Sequence, residues 1–229
     1  MISIGDATDA RSRLLAAAVE AFAARGFHGT TTRDIASAAR MSPAALYVHY
    51  KSKEDLLYLI SRNGHAQTLQ LVREAVGSSN DPVEQLLAVV RVFTIHHARG
   101  HTSARIVNYE LSALSPDHLR EIAAIRRGIE AEMRGVVEAG AGVGAFRTSS
   151  PQMTALALLS LGIDVARWYR DEGEWGPEKI ADYYCELALR IVGAQREPPM
   201  MTTAAIPLIG APAPQSRAVL PHQTRISSD

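Results

Sequence analysis

One short stretch, TTTRDIASAARMSPAALYVHYKSKEDLL from residue 30 to 57, gathers hydroxyl, phenol, imidazole, ammonium and guanidinium groups at close spacing. Thr32, Arg33, Arg40, Ser42, Tyr47, His49, Lys51 and Lys53 are hydrogen-bond donors, several of them cationic. They make no nucleophile with its base and no paired carboxylates, so the chemistry they suit is the holding of an anion. Pro43, Ala44 and Val48 add a small apolar surface beside them. A row of donors next to small side chains fits phosphates flanking a groove that a helix can enter closely.

Two helices must position these groups. Thr31 or Thr32 can cap a first helix carrying Ile35, Ala36 and Ala39 inward, with Asp34 in its first turn complementing the helix dipole. Arg40-Met41 makes the turn, and Ser42-Pro43 restarts the chain with a capping hydroxyl and a residue suited to the first helical position. Leu46 and Tyr50 then face the side of Ile35 and Phe22, which leaves Pro43, Ala44, Tyr47, Val48 and His49 outward. Spacing alone is met equally by a solvated αα-corner and by a helix in the DNA major groove.

The motif settles the choice. TTRDIASAARMSPAALYVHYKSKEDLL, with AAAVEAFAARGFHGTT before it, resembles the DNA-binding signature of the TetR family of bacterial transcriptional regulators over roughly residues 10–58. Arg40 departs from the pattern, which often has glycine there. The resemblance implies that Thr32, Tyr47, His49 and Lys53 hold phosphates, with Lys53 at a helix start where backbone N–H groups add to anion binding. Arg33 becomes the candidate for base readout, Arg40 and Lys51 further cations at the turn and helix end, and Pro43, Ala44 and Val48 apolar contacts to bases.

The rest of the 229-residue chain reads as all-α, about nine helices, with apolar residues at helical spacing and no run of strand-like alternation. SKED from Ser52 opens a helix to about Val76, and Asp81-Pro82, Ser115-Pro116, Ser150-Pro151 and Gly176-Pro177 mark further starts. The expected organisation is a three-helix helix-turn-helix domain at 8–52, a ligand-binding and dimerisation domain at 53–194, and a Pro-rich disordered tail at 195–229. Lys and Arg balance Asp and Glu at 24 each, so any positive surface must be local. One cysteine excludes a disulfide framework within the chain. The apolar run TALALLSLGIDVA is too short to span a bilayer, and a cytoplasmic protein without cofactor or membrane partner is expected.

The resemblance also implies a homodimer on a palindromic operator, most simply a repressor released by a small apolar or acyl-CoA-type effector. The dimer helices are 151–170 and 177–193, with Leu156, Leu159, Ser160, Ile163, Ile180, Tyr184, Leu187 and Ile191 at the interface and Gly162 allowing close approach. Phe93, His96, His97, Tyr109, Arg126, Met133, Trp168 and Tyr169 are the candidate pocket residues, bulky groups with polar handles. Arg126, Arg127 or Arg167 would meet a phosphate of coenzyme A. HHARGH sets His97 and His101 four apart, but without a matching carboxylate no metal site is expected. Two readings of other classes are an all-α enzyme and a helical interaction module without DNA binding. Neither a phosphate-cradling glycine loop nor a catalytic motif supports the enzyme.

Overall fold

The computed structural model describes residues 4–194, and the expected tail at 195–229 lies outside the described residues. Among the described residues there are nine α-helices, one 3-10 turn and no strand. Three helices open the chain: α1 (Ile4–Arg25), α2 (Thr32–Ala38) and α3 (Pro43–His49). The remainder is α4 (Lys53–Val76), α5 (Pro82–Arg99), α6 (His101–Tyr109), the 3-10 turn Leu111–Ala113, α7 (Pro116–Gly142), α8 (Pro151–Trp168) and α9 (Pro177–Ile191).

Capping explains the starts. Asp81, Ser115 and Ser150 each precede proline and accept a backbone N–H of the first turn, while Gly176 offers α9 no side-chain cap. Ser52 opens α4 by accepting from Asp55 N. Gly100 separates α5 from α6, so the histidines of HHARGH fall on two helices.

Two apolar cores follow the chain. The first joins Leu14, Phe22, Ile35, Leu46, Tyr50, Leu56 and Leu57 to Ile106 and Val107 of α6 and Ile122 of α7. The second packs Val72, Leu86, Val89, Phe93, Met133, Leu158 and Leu159 from α4, α5, α7 and α8. α4 belongs to both, through Leu56, Leu57 and Ile60 at one end and Val72 and Ala75 at the other. The division proposed between 52 and 53 therefore falls at the start of a helix shared by both halves.

Two members of the dimer list, Leu159 and Ile180, are buried within the chain, while Leu156, Ser160 and Ile191 are exposed. Leu159 is 7% exposed in the second core and Ile180 5% exposed in a small third cluster with Ala98, Val165 and Tyr169. Ile163 and Tyr184 pack against these cores as well. Gly162 serves an approach within the chain, since a Cβ there would lie 2.5 Å from the Phe93 ring on α5. The physical reason is that α8 is apolar nearly all round, so periodicity does not say which face meets α5. The apolar residues left outside on α8 and α9 are Met153, Leu156, Leu161, Tyr183 and Ile191.

Candidate nucleic-acid interface

Thr31 takes the cap of α2: its hydroxyl accepts from Asp34 N, and the Asp34 carboxylate accepts from Thr31 N. The Thr31 hydroxyl also donates to the Asp34 carboxylate at 2.7 Å, and this bond first, with that from Thr31 N, holds the Asp34 carboxyl below its ordinary value. Thr32 is thereby released, and its Oγ1 lies 3.2 Å from the Tyr47 hydroxyl, joining the first turn of α2 to the outer face of α3. Tyr47 is 56% and Val48 79% exposed, an unusual solvent face for a phenol and a branched aliphatic. Arg33, Arg40, Ser42, Pro43, Ala44 and Lys51 are exposed beside them, and His49 is half-buried. All the sequence-predicted residues except Lys53 thus reach one surface around α2 and α3 at least in part.

The turn between the helices is tight. Met41 N donates to Ala36 O at 2.8 Å and Arg40 N to Ser37 O at 3.0 Å, the double bond pattern that ends helices on a left-handed residue. Arg40 is that residue, with φ 56°. A side chain there costs about 1 kcal/mol relative to glycine. The turn geometry is thus retained despite the substitution, and a cation is placed on the exposed surface.

Lys53 is placed differently from its expected role. Its ammonium donates to Phe27 O at 2.8 Å and Thr30 O at 2.9 Å, and lies 4.3 Å from the Phe27 ring centroid. The charge thus sits inward against the corner between α1 and α2, because α4 starts beneath that corner and the carbonyls of Phe27 and Thr30 are offered there. Thr30, fully buried, shares its hydroxyl proton between Ala21 O and Gly26 O. The Tyr50 hydroxyl donates to Arg11 O at 3.0 Å and pins α3 to α1. Thr30 is the first of three consecutive threonines, and nothing in the sequence distinguishes it as the buried one.

Further contacts tie this unit to the later helices, and sequence reasoning missed them. Glu54 accepts from Ser115 N at 2.8 Å and pairs with His118 Nδ1 at 2.8 Å. The Tyr58 ring stacks on His118 at 3.8 Å, and its hydroxyl donates to Glu121. Glu110, at the end of α6, accepts from Phe27 N at 3.3 Å. Glu54, Asp55 and His118 offer ligand atoms within 4.8 Å of one another. Glu54 already receives two donors there, so the arrangement serves as a strut between α4 and α7.

The candidate pocket residues fall into separate groups rather than one site, although Phe93, His96 and His97 are in ring contact. Phe93 and Met133 line a void of about 10 Å3 with Thr94 and Leu158. Tyr109 is exposed and borders an open cleft of about 600 Å3 with Phe22, Arg105, Ile106 and Arg167. Trp168 and Tyr169 belong to the third cluster. His96 faces Thr68 Oγ1 at 3.2 Å, and Arg126 faces His65 and Asn108. His97 is buried with Nδ1 against Phe93 O, whereas His101 Nδ1 meets Ala98 O, so the two histidines turn to different partners. Asp164 is exposed and paired with Arg167. Burial pushes the Cys185 thiol up to about 11, away from nucleophilic chemistry.

Residues 14–58 match the profile of bacterial regulatory proteins of the tetR family, and residues 79–192 that of the tetracyclin repressor-like C-terminal domain. The chain is similar to the HTH-type transcriptional repressor KstR2 of Rhodococcus jostii, 31% identical over 181 residues that span 78% of this chain and 89% of that protein. A tetR-family regulatory protein of Rhodococcus RHA1 has a solved structure that superposes with a TM-score of 0.79 at 44% identity, covering 82% of this chain and 98% of that one. The solved complex of AibR with isovaleryl coenzyme A and operator DNA superposes with a TM-score of 0.73 at 25% identity, covering 81% and 99%. No helix among the described residues is long and apolar enough to cross a membrane.

Proposed function

Because the chain belongs to the TetR family of bacterial regulatory proteins, we propose that it binds a palindromic operator as a homodimer and leaves it when a small-molecule effector enters the C-terminal bundle. The observation that carries this reading is the outward face of α3, where Tyr47 and Val48 stand in solvent on a helix that begins with a cap and proline. Such a face has no folding role and fits a groove. The enzyme alternative falls with the family assignment.

In this reading Thr32, Tyr47, His49 and Lys51 meet phosphates, and Arg40 adds a cation at the turn. Arg33 reads a base edge, while Pro43, Ala44 and Val48 lie against bases. Lys53 contributes by holding the corner from which α2 departs. The partner protomer covers the face formed by Met153, Leu156 and Leu161 on α8 with Tyr183 and Ile191 on α9, in place of the buried members of the expected set. KstR2 is named a repressor, which favours repression here, and a regulator that reads DNA in this way would act in the cytoplasm. The AibR complex, which contains isovaleryl coenzyme A and operator DNA, favours an acyl-coenzyme A thioester as effector.

The test is selection of bound sequences from a random DNA pool by the purified chain at physiological salt. Enrichment of one palindrome supports the reading, followed by release of that palindrome on addition of isovaleryl coenzyme A or longer thioesters. Failure to enrich any sequence, with or without thioesters, would favour the interaction-module alternative.

A further inference from the structure

α4, α6 and α7 meet at a guanidinium without a counterion. Arg126 of α7 is half-buried, and its Nη1 lies 3.2 Å from His65 Nε2 on α4 and 3.2 Å from Asn108 Oδ1 on α6. Both partners are neutral. His65 Nδ1 lies 2.8 Å from Ser61 O and must carry the ring proton, so Nε2 is a bare acceptor for Arg126. Asn108 is itself held through Nδ2, which donates to Ala104 O at 2.9 Å. Arg126 forms no ion pair among the described residues, and burial alone lowers its pKa, with no acid acting on it. A partly desolvated cation facing only neutral acceptors is costly to keep.

Two features mark the place as built. Nη1 is fully engaged, which orients the planar group and leaves Nε and Nη2 with no bond among the described residues. That edge is the fork that matches two oxygens of a carboxylate or phosphate. One turn before His65, the Ser61 hydroxyl is wholly buried and has no hydrogen-bond partner, a polar atom that the folded chain leaves unsatisfied.

We propose that the free edge of Arg126, oriented by His65 and Asn108, takes an oxyanion carried by the effector. The inference rests on the effector response proposed above and narrows its chemistry to a ligand with a carboxylate or phosphate group. The position also explains the coupling. α4, which bears His65, begins at Lys53 and Glu54, the residues fastened to the α1–α2 corner and to α7. α6, which bears Asn108, ends at Glu110, which holds Phe27 N. An anion that draws on Arg126 acts on both struts of the reading unit at once.

The test uses the full-length chain without DNA. Its thermal midpoint is measured in sodium phosphate, sodium acetate and sodium chloride at matched ionic strength, alongside Arg126→Leu and Arg126→Lys. The expected result is a rise of about 3 °C over chloride at roughly ten times the dissociation constant, in phosphate or in acetate, and the active salt identifies the anion class. Arg126→Leu leaves His65 Nε2 and Asn108 Oδ1 without their donor, so it is expected to start at a lower midpoint and to lose the rise. Arg126→Lys keeps the charge without the fork and should lose most of it. No anion-specific rise in the unmodified chain overturns the proposal, as does an equal rise in either variant. Operator selection is a separate readout: its failure leaves the anion result standing, whereas anion binding at Arg126 with no thioester affecting the operator complex would count against the effector reading.

Discussion

The surface around α2 and α3 and the interior around His65, His97 and Arg126 use similar polar groups in opposite ways. On the surface, Tyr47, Arg33, Arg40 and Lys51 point outward and remain hydrated until a partner arrives. In the interior, His65 and His97 are 4% and 3% exposed and face backbone carbonyls. Two of the half-buried cations make the same contrast: Lys53 is satisfied by two carbonyls, and Arg126 by no anion. What differs is solvation. An outward donor costs folding little and gains on binding, whereas an inward one is a fixed liability unless it is paired.

Acid should expose this difference most strongly. Burial lowers the pKa of both His65 and His97 from 6.5 to about 4, so between those values the unfolded chain takes up protons that the folded chain refuses. Stability is then complete above about pH 6.5 and falls as pH drops toward 4, by up to about 3 kcal/mol for each group. Thermal midpoints measured from pH 7 to 4 check this. If neither His97→Gln nor His65→Asn flattens the slope, the interior histidines are not its source.

On the surface, Arg33→Ala should relax sequence preference, with a loss on the order of 1–3 kcal/mol on the best operator and little on others. Binding assays against a panel of single-base operator variants measure it. A uniform loss across the panel would reassign Arg33 to a phosphate.

Lys53 distinguishes a structural cation from a phosphate contact. Lys53→Met leaves the Thr30 carbonyl without its donor and Phe27 O with Thr30 N alone, and is expected to lower stability by about 1–3 kcal/mol while the slope of operator affinity against salt stays unchanged. Denaturant melts and salt titrations give both quantities. A slope reduced by about one unit, with stability intact, would return Lys53 to the phosphate set.

The smallest effect belongs to Arg40. Relieving its positive φ with Arg40→Gly should stabilise the fold by about 1 kcal/mol and weaken operator binding through loss of one cation. A destabilised Arg40→Gly chain would mean that the side chain, not the turn, holds the corner.

Much of the fold was legible because helix punctuation is local. Ser52, Asp81, Ser115 and Ser150 predicted four starts, and each caps the helix expected. The outward side of α3 was legible too, since Leu46 and Tyr50 fix which face is buried. The pocket and dimer lists fared less well because they depend on contacts distant in the chain. Phe93 is matched to Gly162, Arg126 to His65 and Asn108, and Glu54 to His118, and no spacing rule links residues so far apart.

The amino-acid sequence by itself determined the helices, their caps, the tight turn at Arg40 and the donor-rich surface, because each depends on neighbours within a turn or two. Only the tertiary structure decided that Lys53 faces inward, that Gly162 admits Phe93 and that Arg126 lacks a counterion. Burial and pairing are properties of the packed interior, where a group's cost depends on which distant side chains remove it from water.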